Sequence, residues 1–288
     1  MSPARASGSV CYNSRVGTLF LVATPIGNLE DITLRALRTL GEASCIAAED
    51  TRQTRKLLER YQIRVPLISY HEHNKLARLK DVLARLGHGD VALVSDAGTP
   101  GLSDPGYELV RAALEAGHRV QAIPGASAPI AALVSSGLPT DAFVFLGYLP
   151  RRTSERRAAL QTLVMERRTA LAFEVPHRLG QALMDMEAVL GAERKLAVAR
   201  ELTKLHEEIF RGTVAGARAR FEAQPALGEI TLVIGGASEA RQWDEAQVRL
   251  ALAEQQRLGT PPSEAARRVA EASAWPRRQV YRLAMERK

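Results

Sequence analysis

Val94-Ser95-Asp96-Ala97-Gly98-Thr99-Pro100-Gly101-Leu102-Ser103-Asp104-Pro105-Gly106 is the stretch on which the reading of the chain turns. The run Val91-Ala92-Leu93-Val94 that leads into it is apolar and of buried-strand length. Residues 107–116 follow it with Leu109, Val110, Ala113 and Leu114 at helical spacing. Asp104 stands where an N-cap belongs and Pro105 where a first helical residue belongs. Between strand and helix lie Gly98, Gly101 and Gly106, two prolines and two carboxylates, more than a connection requires. Ligands of open α/β sheets bind beyond the carboxyl ends of the strands, and glycines there let the backbone approach a ligand closely. An ornate tight turn would read the same way, so the neighbouring segments decide.

The pattern repeats on both sides. Residues 18–23 read as a strand, Thr24-Pro25-Ile26-Gly27-Asn28-Leu29 as a loop, and Leu34, Leu37 and Leu40 as one face of a helix. No GxGxxG occurs there, which argues against a nicotinamide dinucleotide site. Strands over 45–48 and 65–69 end in Glu49-Asp50-Thr51-Arg52 and Tyr70-His71-Glu72-His73-Asn74. A helix over 74–86, a strand over 118–123 and the small-residue loop Pro124-Gly125-Ala126-Ser127-Ala128-Pro129 complete the series. This alternation predicts an α/β lobe over 17–138 with a mostly parallel sheet covered on both faces.

Gly137-Leu138-Pro139-Thr140 reads as a hinge to a mixed α+β lobe over 139–238. Strands are expected at 143–148, 169–173, 195–200, 207–210 and 229–235, with helices at 154–166, 177–190 and 213–222. Antiparallel pairing is expected because 207–210 and 229–235 flank one short helix. Pro261-Pro262 and Trp275-Pro276 divide 243–288 into three helices spaced like a helix-turn-helix. With nine Lys/Arg against six Asp/Glu, this basic segment is expected either to contact RNA or only to pack.

The chain has 288 residues, 46% hydrophobic and 25% charged, an ordinary globular balance. A net charge of +7 tilts toward a polyanionic partner. Cys11 and Cys45 build neither a disulfide framework nor a zinc site. Residues 1–16 lack the apolar core of a signal peptide, and no apolar stretch reaches membrane-spanning length. The expectation is a flexible tail on a cytoplasmic protein.

Taken together, residues 23–33, Ala48-Glu49-Asp50-Thr51-Arg52, the stretch 94–106, Pro124-Gly125, Pro176-His177-Arg178 and Ala199-Arg200-Glu201-Leu202-Thr203-Lys204 resemble the tetrapyrrole methylase family. These are the class III S-adenosylmethionine-dependent methyltransferases, and the likeness, over roughly 17–288, is to their ribosomal branch. It implies a two-lobed fold with adenosylmethionine in the cleft, near Pro25, Ile26, Gly27, Asp96, Ala97, Gly98, Thr99, Ser127 and Ala128. From the second lobe it implies Phe173, Glu201, Leu202, Glu229, Ile230 and Thr231. It further implies a homodimer acting on 16S rRNA or the 30S subunit, at the ribose 2′-hydroxyl of a cytidine in the decoding region. Tetrapyrrole-modifying members carry a Gly-Asp-Pro type loop where this chain has Ser95-Asp96-Ala97, a departure that fits the ribosomal branch. The alternatives are a small-molecule tetrapyrrole methyltransferase and a non-catalytic RNA-binding protein.

A ribose hydroxyl is a poor nucleophile at neutral pH, so a base within hydrogen-bond reach would help. Glu49, Asp50, His71, His73, Glu174 and His177 are the candidates. Asp50 reads equally well as the N-cap of a helix over 52–60. His71 and His73 share a strand face but lack a third ligand, so no metal site is expected. Arg52 and Arg178 are candidate phosphate contacts, with Arg277, Arg278 and Arg282 from the last helix. Arg151, Arg152, Arg156 and Arg157 are either a solvated helix start or an RNA-facing patch.

Overall fold

The first five strands lie side by side and parallel in a computed structural model that describes residues 17–237, 243–273 and 275–285. The tail expected over 1–16 lies outside the described residues. The strands are β1 (Thr18–Val22), β2 (Cys45–Ala48), β3 (Leu67–Ser69), β4 (Val91–Val94) and β5 (Arg119–Ile123), in the order β3-β2-β4-β1-β5. β2 and β4 are buried at every position, which is why they are unbroken apolar runs rather than alternating ones. α1 (Leu34–Glu42) and α2 (Thr51–Arg60) cover one face through Ala36, Leu40, Leu57 and Leu58. α3 (Lys75–Leu86) and α4 (Tyr107–Glu115) cover the other through Val82, Leu86, Leu109 and Ala113.

The chain leaves β1 toward β2 but leaves β4 toward β5, so its direction across the sheet reverses between these two neighbours. That reversal opens a crevice at their carboxyl ends. The two loops there are tied together: Thr24 N–H donates to the Gly98 carbonyl at 2.9 Å and Gly98 N–H to the Thr24 carbonyl at 3.0 Å. Asp50 caps α2, its carboxylate accepting from Arg52 N–H at 2.8 Å. The cap expected at Asp104 does not form. α4 begins at Tyr107 behind Gly106, and the 101–106 loop instead delivers Asp104 to the crevice.

The second sheet contains β6 (Phe143–Tyr148), β7 (Thr169–Glu174), β8 (Lys195–Arg200), β9 (Glu208–Thr213) and β10 (Ile230–Ile234), in the order β6-β7-β10-β8-β9. Only β6 and β7 run parallel. Antiparallel pairing is present with other partners than expected: β9 and β10 flank α8 (Val214–Ala223), yet each pairs with β8 and not with the other. α6 (Thr153–Gln161), α7 (Pro176–Leu190) and α8 cover one face. α6 stops short of residue 166 because the chain from Thr162 tightens into i→i+3 turns, such as Leu163 N–H to the Leu160 carbonyl. The opposite face receives α5 (Ala128–Ser136), whose Ala132 and Leu133 pack with Leu171, Ala197, Ala199 and Val233. By packing, α5 therefore goes with the second sheet although it precedes Gly137.

The arginine-rich start of α6 is not a free basic patch. Arg156 is 2% exposed and donates from Nε and Nη2 to one oxygen of Asp185 on α7, itself fully buried. Arg156 Nη1 also satisfies the carbonyls of Pro150 and Arg151, and Arg157 binds the other Asp185 oxygen at 2.8 Å. A buried guanidinium has to be paired, and here the partner lies 29 residues away.

α9 (Glu245–Arg257), α10 (Pro262–Ser273) and α11 (Arg277–Met285) share a core of Val248, Leu252, Ala265, Ala266, Val269 and Val280, with Asp244 and Gln247 forming a capping box. Arg277, Arg278 and Arg282 are exposed on α11.

Candidate active site

A cavity of about 250 Å³ lies between the two sheets. From the first sheet its walls are Ile26, Glu49 and the loop residues Asp96, Ala97, Gly98, Thr99, Leu102 and Asp104. Ser127, Ala128 and Pro129 at the start of α5 form a second side, and Tyr148, Phe173, Glu174, Val175 and Gly228 to Thr231 close it from the second sheet. A neighbouring cavity of about 450 Å³ shares Ile26, Asp96, Ala97 and Glu229 and adds Pro25 and Gly27. Together they fall within the range of small-molecule sites, about 300–1,000 Å³.

Strand register explains the far wall. Phe173 and Thr231 are direct partners across β7 and β10, in phase with Leu171 and Val233, so they face α5 and the cleft. Phe173 packs at 5.2 Å against both Tyr148 and Phe145, making an aromatic surface.

The electrostatics of the smaller cavity are one-sided: among the described residues its walls include five carboxylates and no lysine or arginine. Glu49 accepts from Asp96 N–H at 3.3 Å, and Asp96 in turn accepts from Asp50 N–H at 2.9 Å. Burial pushes both the Glu49 and the Asp96 carboxyl up from their usual range. Asp104 is pushed up to about 7, first by burial and then by the charges of Glu49 and Asp96, with the Ser95 hydroxyl offsetting part of this. Glu174 is 1% exposed; its Oε1 is held by Arg178 at 2.6 Å and by Val175 N–H at 2.8 Å. Its Oε2 is buried with no hydrogen-bond partner, an arrangement that points to a ligand or water.

The profile of the tetrapyrrole (corrin/porphyrin) methylases matches residues 18–217, from β1 into the first turn of α8, with β10 outside the matched span. The chain belongs to the tetrapyrrole methylase family. Ribosomal RNA small subunit methyltransferase I of Synechocystis sp. is 51% identical over 274 residues, 94% of this methylase and 98% of the relative. The protein of that name from Bacillus subtilis is 41% identical over 275 residues, 93% and 94% of the two chains. In Thermotoga maritima, 49% identity spans 99% of the relative but 77% of this methylase, so about a quarter of the present chain has no counterpart there. Among solved structures, the cobalt precorrin-4 methyltransferase CbiF matches with a TM-score of 0.61 at 15% identity, over 79% of this chain and 98% of that one. That likeness is one of fold.

Of the positions expected to hold a cofactor in this methylase, Ile26, Asp96, Ala97, Gly98, Thr99, Ser127, Ala128, Phe173, Glu229, Ile230 and Thr231 wall the smaller cavity. Glu201 and Leu202 wall neither cavity. Glu201 is bound to Lys204 at 2.8 Å and to Glu229 N–H, while Leu202 packs beside Ile26. Gly27 is where the lobes touch: a Cβ there would lie 2.5 Å from Lys204 Cγ and 2.7 Å from Thr203 Oγ1. Asn28 N–H donates to that same Thr203 hydroxyl at 3.0 Å. Thr203 adopts a left-handed backbone (φ 66°), which for a β-branched residue costs about 1–3 kcal/mol and concentrates at functional sites. Gly27→Val is therefore expected to disrupt the contact between the lobes and weaken cofactor binding at least about 10-fold, measured by calorimetry.

Of the candidate bases, Glu49 and Glu174 wall the cavity; Asp50, His71, His73 and His177 do not. Asp50 is committed to its helix and to Arg52, which holds it down to about 2. His71 and His73 lie in the turn after β3 rather than on a strand face, their rings 6.0 Å apart, and His177 is exposed. Arg178 is spent on Glu174 and the Leu149 carbonyl, so it orients an acid rather than a phosphate. Arg52, Arg151 and Arg152 are exposed. Sequence reasoning missed Leu102, Asp104, Tyr148 and Gly228. Asp104 was hidden by the cap-like Asp-Pro pair. Tyr148 ends a strand, a place like that of Glu49 after β2.

Proposed function

We propose that this methylase transfers the methyl group of S-adenosylmethionine to the ribose 2′-hydroxyl of a cytidine in the decoding region of 16S rRNA. The observation that carries the reading is a cation-free acidic cavity walled by small residues, in a chain similar nearly end to end to ribosomal RNA small subunit methyltransferases. The cofactor supplies an electrophilic methyl group on a positively charged sulfur.

The residues present fit that group. Ala97, Gly98, Ser127 and Ala128 leave room, and Ile26, Leu102, Phe173 and Ile230 offer apolar surface to an adenine. Carboxylates favour a sulfonium and an ammonium in a partly desolvated site. The start of α5, where the Ser127 side chain caps nothing, favours a carboxylate. Catalysis then comes chiefly from holding the hydroxyl in line behind the methyl group.

The same acids repel RNA phosphates, so phosphate contacts belong outside the cavity. Arg52, Arg151 and Arg152 are free of the interior, and Arg277, Arg278 and Arg282 extend the positive surface onto α11. Removing 243–288 is expected to weaken RNA binding and flatten its salt dependence while sparing cofactor affinity. Equal loss of both in filter-binding and calorimetric titrations would make the helices structural instead.

Two chains are expected to pair, and the exposed apolar residues of α4, α5 and β6 are the surface assigned to that contact. Val134 is 68% exposed, Leu114 57%, Ile130 44% and Phe143 40%. Val134→Glu should then shift the protein from dimer to monomer in sedimentation.

The activity is tested by incubating the protein with labelled cofactor and 30S subunits or 16S rRNA, mapping the product by 2′-O-methyl-sensitive primer extension. Label at a decoding-region cytidine is the expected result. Incorporation into neither RNA form, or methylation of uroporphyrinogen without RNA, would contradict it.

A further inference from the structure

We propose that Asp104 is the general base of the reaction, taking the proton of the attacking hydroxyl. This rests on the methyl-transfer reading above and assigns the step that reading leaves open.

The argument is one of accessibility among the acids that wall the cavity. Glu49 is tied through one oxygen to the backbone N–H of Asp96, and Asp96 through one oxygen to that of Asp50, whereas the group donating to Asp104 is the rotatable Ser95 hydroxyl. Glu174 is locked by Arg178 and fully buried. Glu229 is paired with Lys204 at 3.1 Å. Asp104 is half-buried, faces the cavity from the loop after β4, and has no cationic partner among the described residues. The groups that face it are Glu49 from the end of β2, Asp96 from the β4 loop, the Ser95 hydroxyl, and Tyr148 from β6 across the cleft. Tyr148 itself lies in the field of Glu229, Asp104, Glu49 and Glu174, so the acids converge on one space. The buried, unpartnered Glu174 Oε2 borders that space. No group of three or more His, Cys, Asp or Glu arranged to hold a metal ion occurs among the described residues.

Desolvation and like charge make a carboxylate a stronger base at neutral pH, and Asp104 has both, with a value of about 7. In the step, the hydroxyl oxygen bonds to the methyl carbon as the carbon–sulfur bond breaks, its electron pair going to sulfur. The hydroxyl proton passes to Asp104 and from there to water, so the carboxylate is regenerated.

The test compares the full-length protein with Asp104→Asn and Glu49→Gln, each checked for cofactor affinity by calorimetry. Asp104→Asn should lower kcat by about 100- to 10,000-fold with cofactor Kd within about 3-fold of the parent, and abolish the acidic limb of the pH–rate profile. Infrared titration of the cofactor-free protein should show a carboxyl titrating near neutral pH that Asp104→Asn removes. Glu49→Gln should keep the limb but move it to lower pH, since a neighbouring negative charge is gone. Folding offers a further readout. A carboxyl raised from its usual range to about 7 destabilises the fold increasingly as pH rises between the two values, so Asp104→Asn should raise the Tm relative to the parent above neutral pH. An Asp104→Asn protein that keeps its kcat or its acidic limb would overturn the assignment, as would loss of the limb in Glu49→Gln alone. A parent protein that fails to bind cofactor or to methylate RNA would instead refute the underlying reading.

Discussion

Asp185→Ala is expected to cost about 3–5 kcal/mol of folding stability, the usual penalty for stranding a buried charge. Asp185 is fully buried on α7 and gathers Arg156, 2% exposed, and Arg157. Without it, the Arg156 guanidinium stays enclosed beside the carbonyls of Pro150 and Arg151 with its charge uncompensated. Urea denaturation followed by circular dichroism measures the loss. Burial alone would raise the Asp185 carboxyl, but the guanidiniums of Arg157 and Arg156 outweigh it and hold it below its usual range. A depressed carboxyl contributes stability above its unfolded value and loses it as pH falls through its folded one. Asp185→Ala should therefore also flatten the acid limb of the stability curve. The double variant Arg156→Met/Asp185→Leu should recover most of the loss, because an apolar pair of similar volume removes the charge together with its need for a partner. A cost below about 1 kcal/mol for the single variant would mean that the pair is solvated.

Ala97→Trp is the second large effect. Ala97 is half-buried, walls both cavities, and sits on the loop that Gly98 ties to Thr24. An indole there would fill the cavities that Ala97 walls, at the edge of the cluster formed by Ile26, Ala132 and Leu133. Cofactor affinity should fall at least about 100-fold, about 2.7 kcal/mol, while the Tm changes little. Unchanged affinity would show that the cofactor lies elsewhere.

Much of this arrangement was legible from residue order because the chain punctuates itself. Four of the five parallel strands are short and largely apolar, β5 (Arg119–Ile123) being the exception, and their ends run into loops rich in polar or small residues. That order foretold the strands of both sheets, whereas most of the residues named for the cavity wall came from the likeness to the tetrapyrrole methylases. What it hid depended on partners distant in sequence. Arg156 looked like a solvent-exposed charge because Asp185, the residue that allows its burial, lies a helix and a strand away. The runs ending near Phe210 and Ile234 flank one helix and so suggested a direct pair, whereas β8, earlier in the chain, separates them. Asp104 carried the local pattern of a cap, and only the position of Gly106 at the start of α4 freed it for the cleft. Glu201 and Leu202 belong to a recognisable motif; Glu201 is held by Lys204 and the Glu229 N–H, and Leu202 packs beside Ile26.

The cleft as the seat of adenosylmethionine is tested most directly by a crystal structure of the protein soaked with that cofactor. The account predicts density for it between the 96–99 loop, the start of α5 and the ends of β7 and β10. Density confined to another surface, or a mouth closed over Phe173 and Thr231 with no room for a nucleoside, would contradict it.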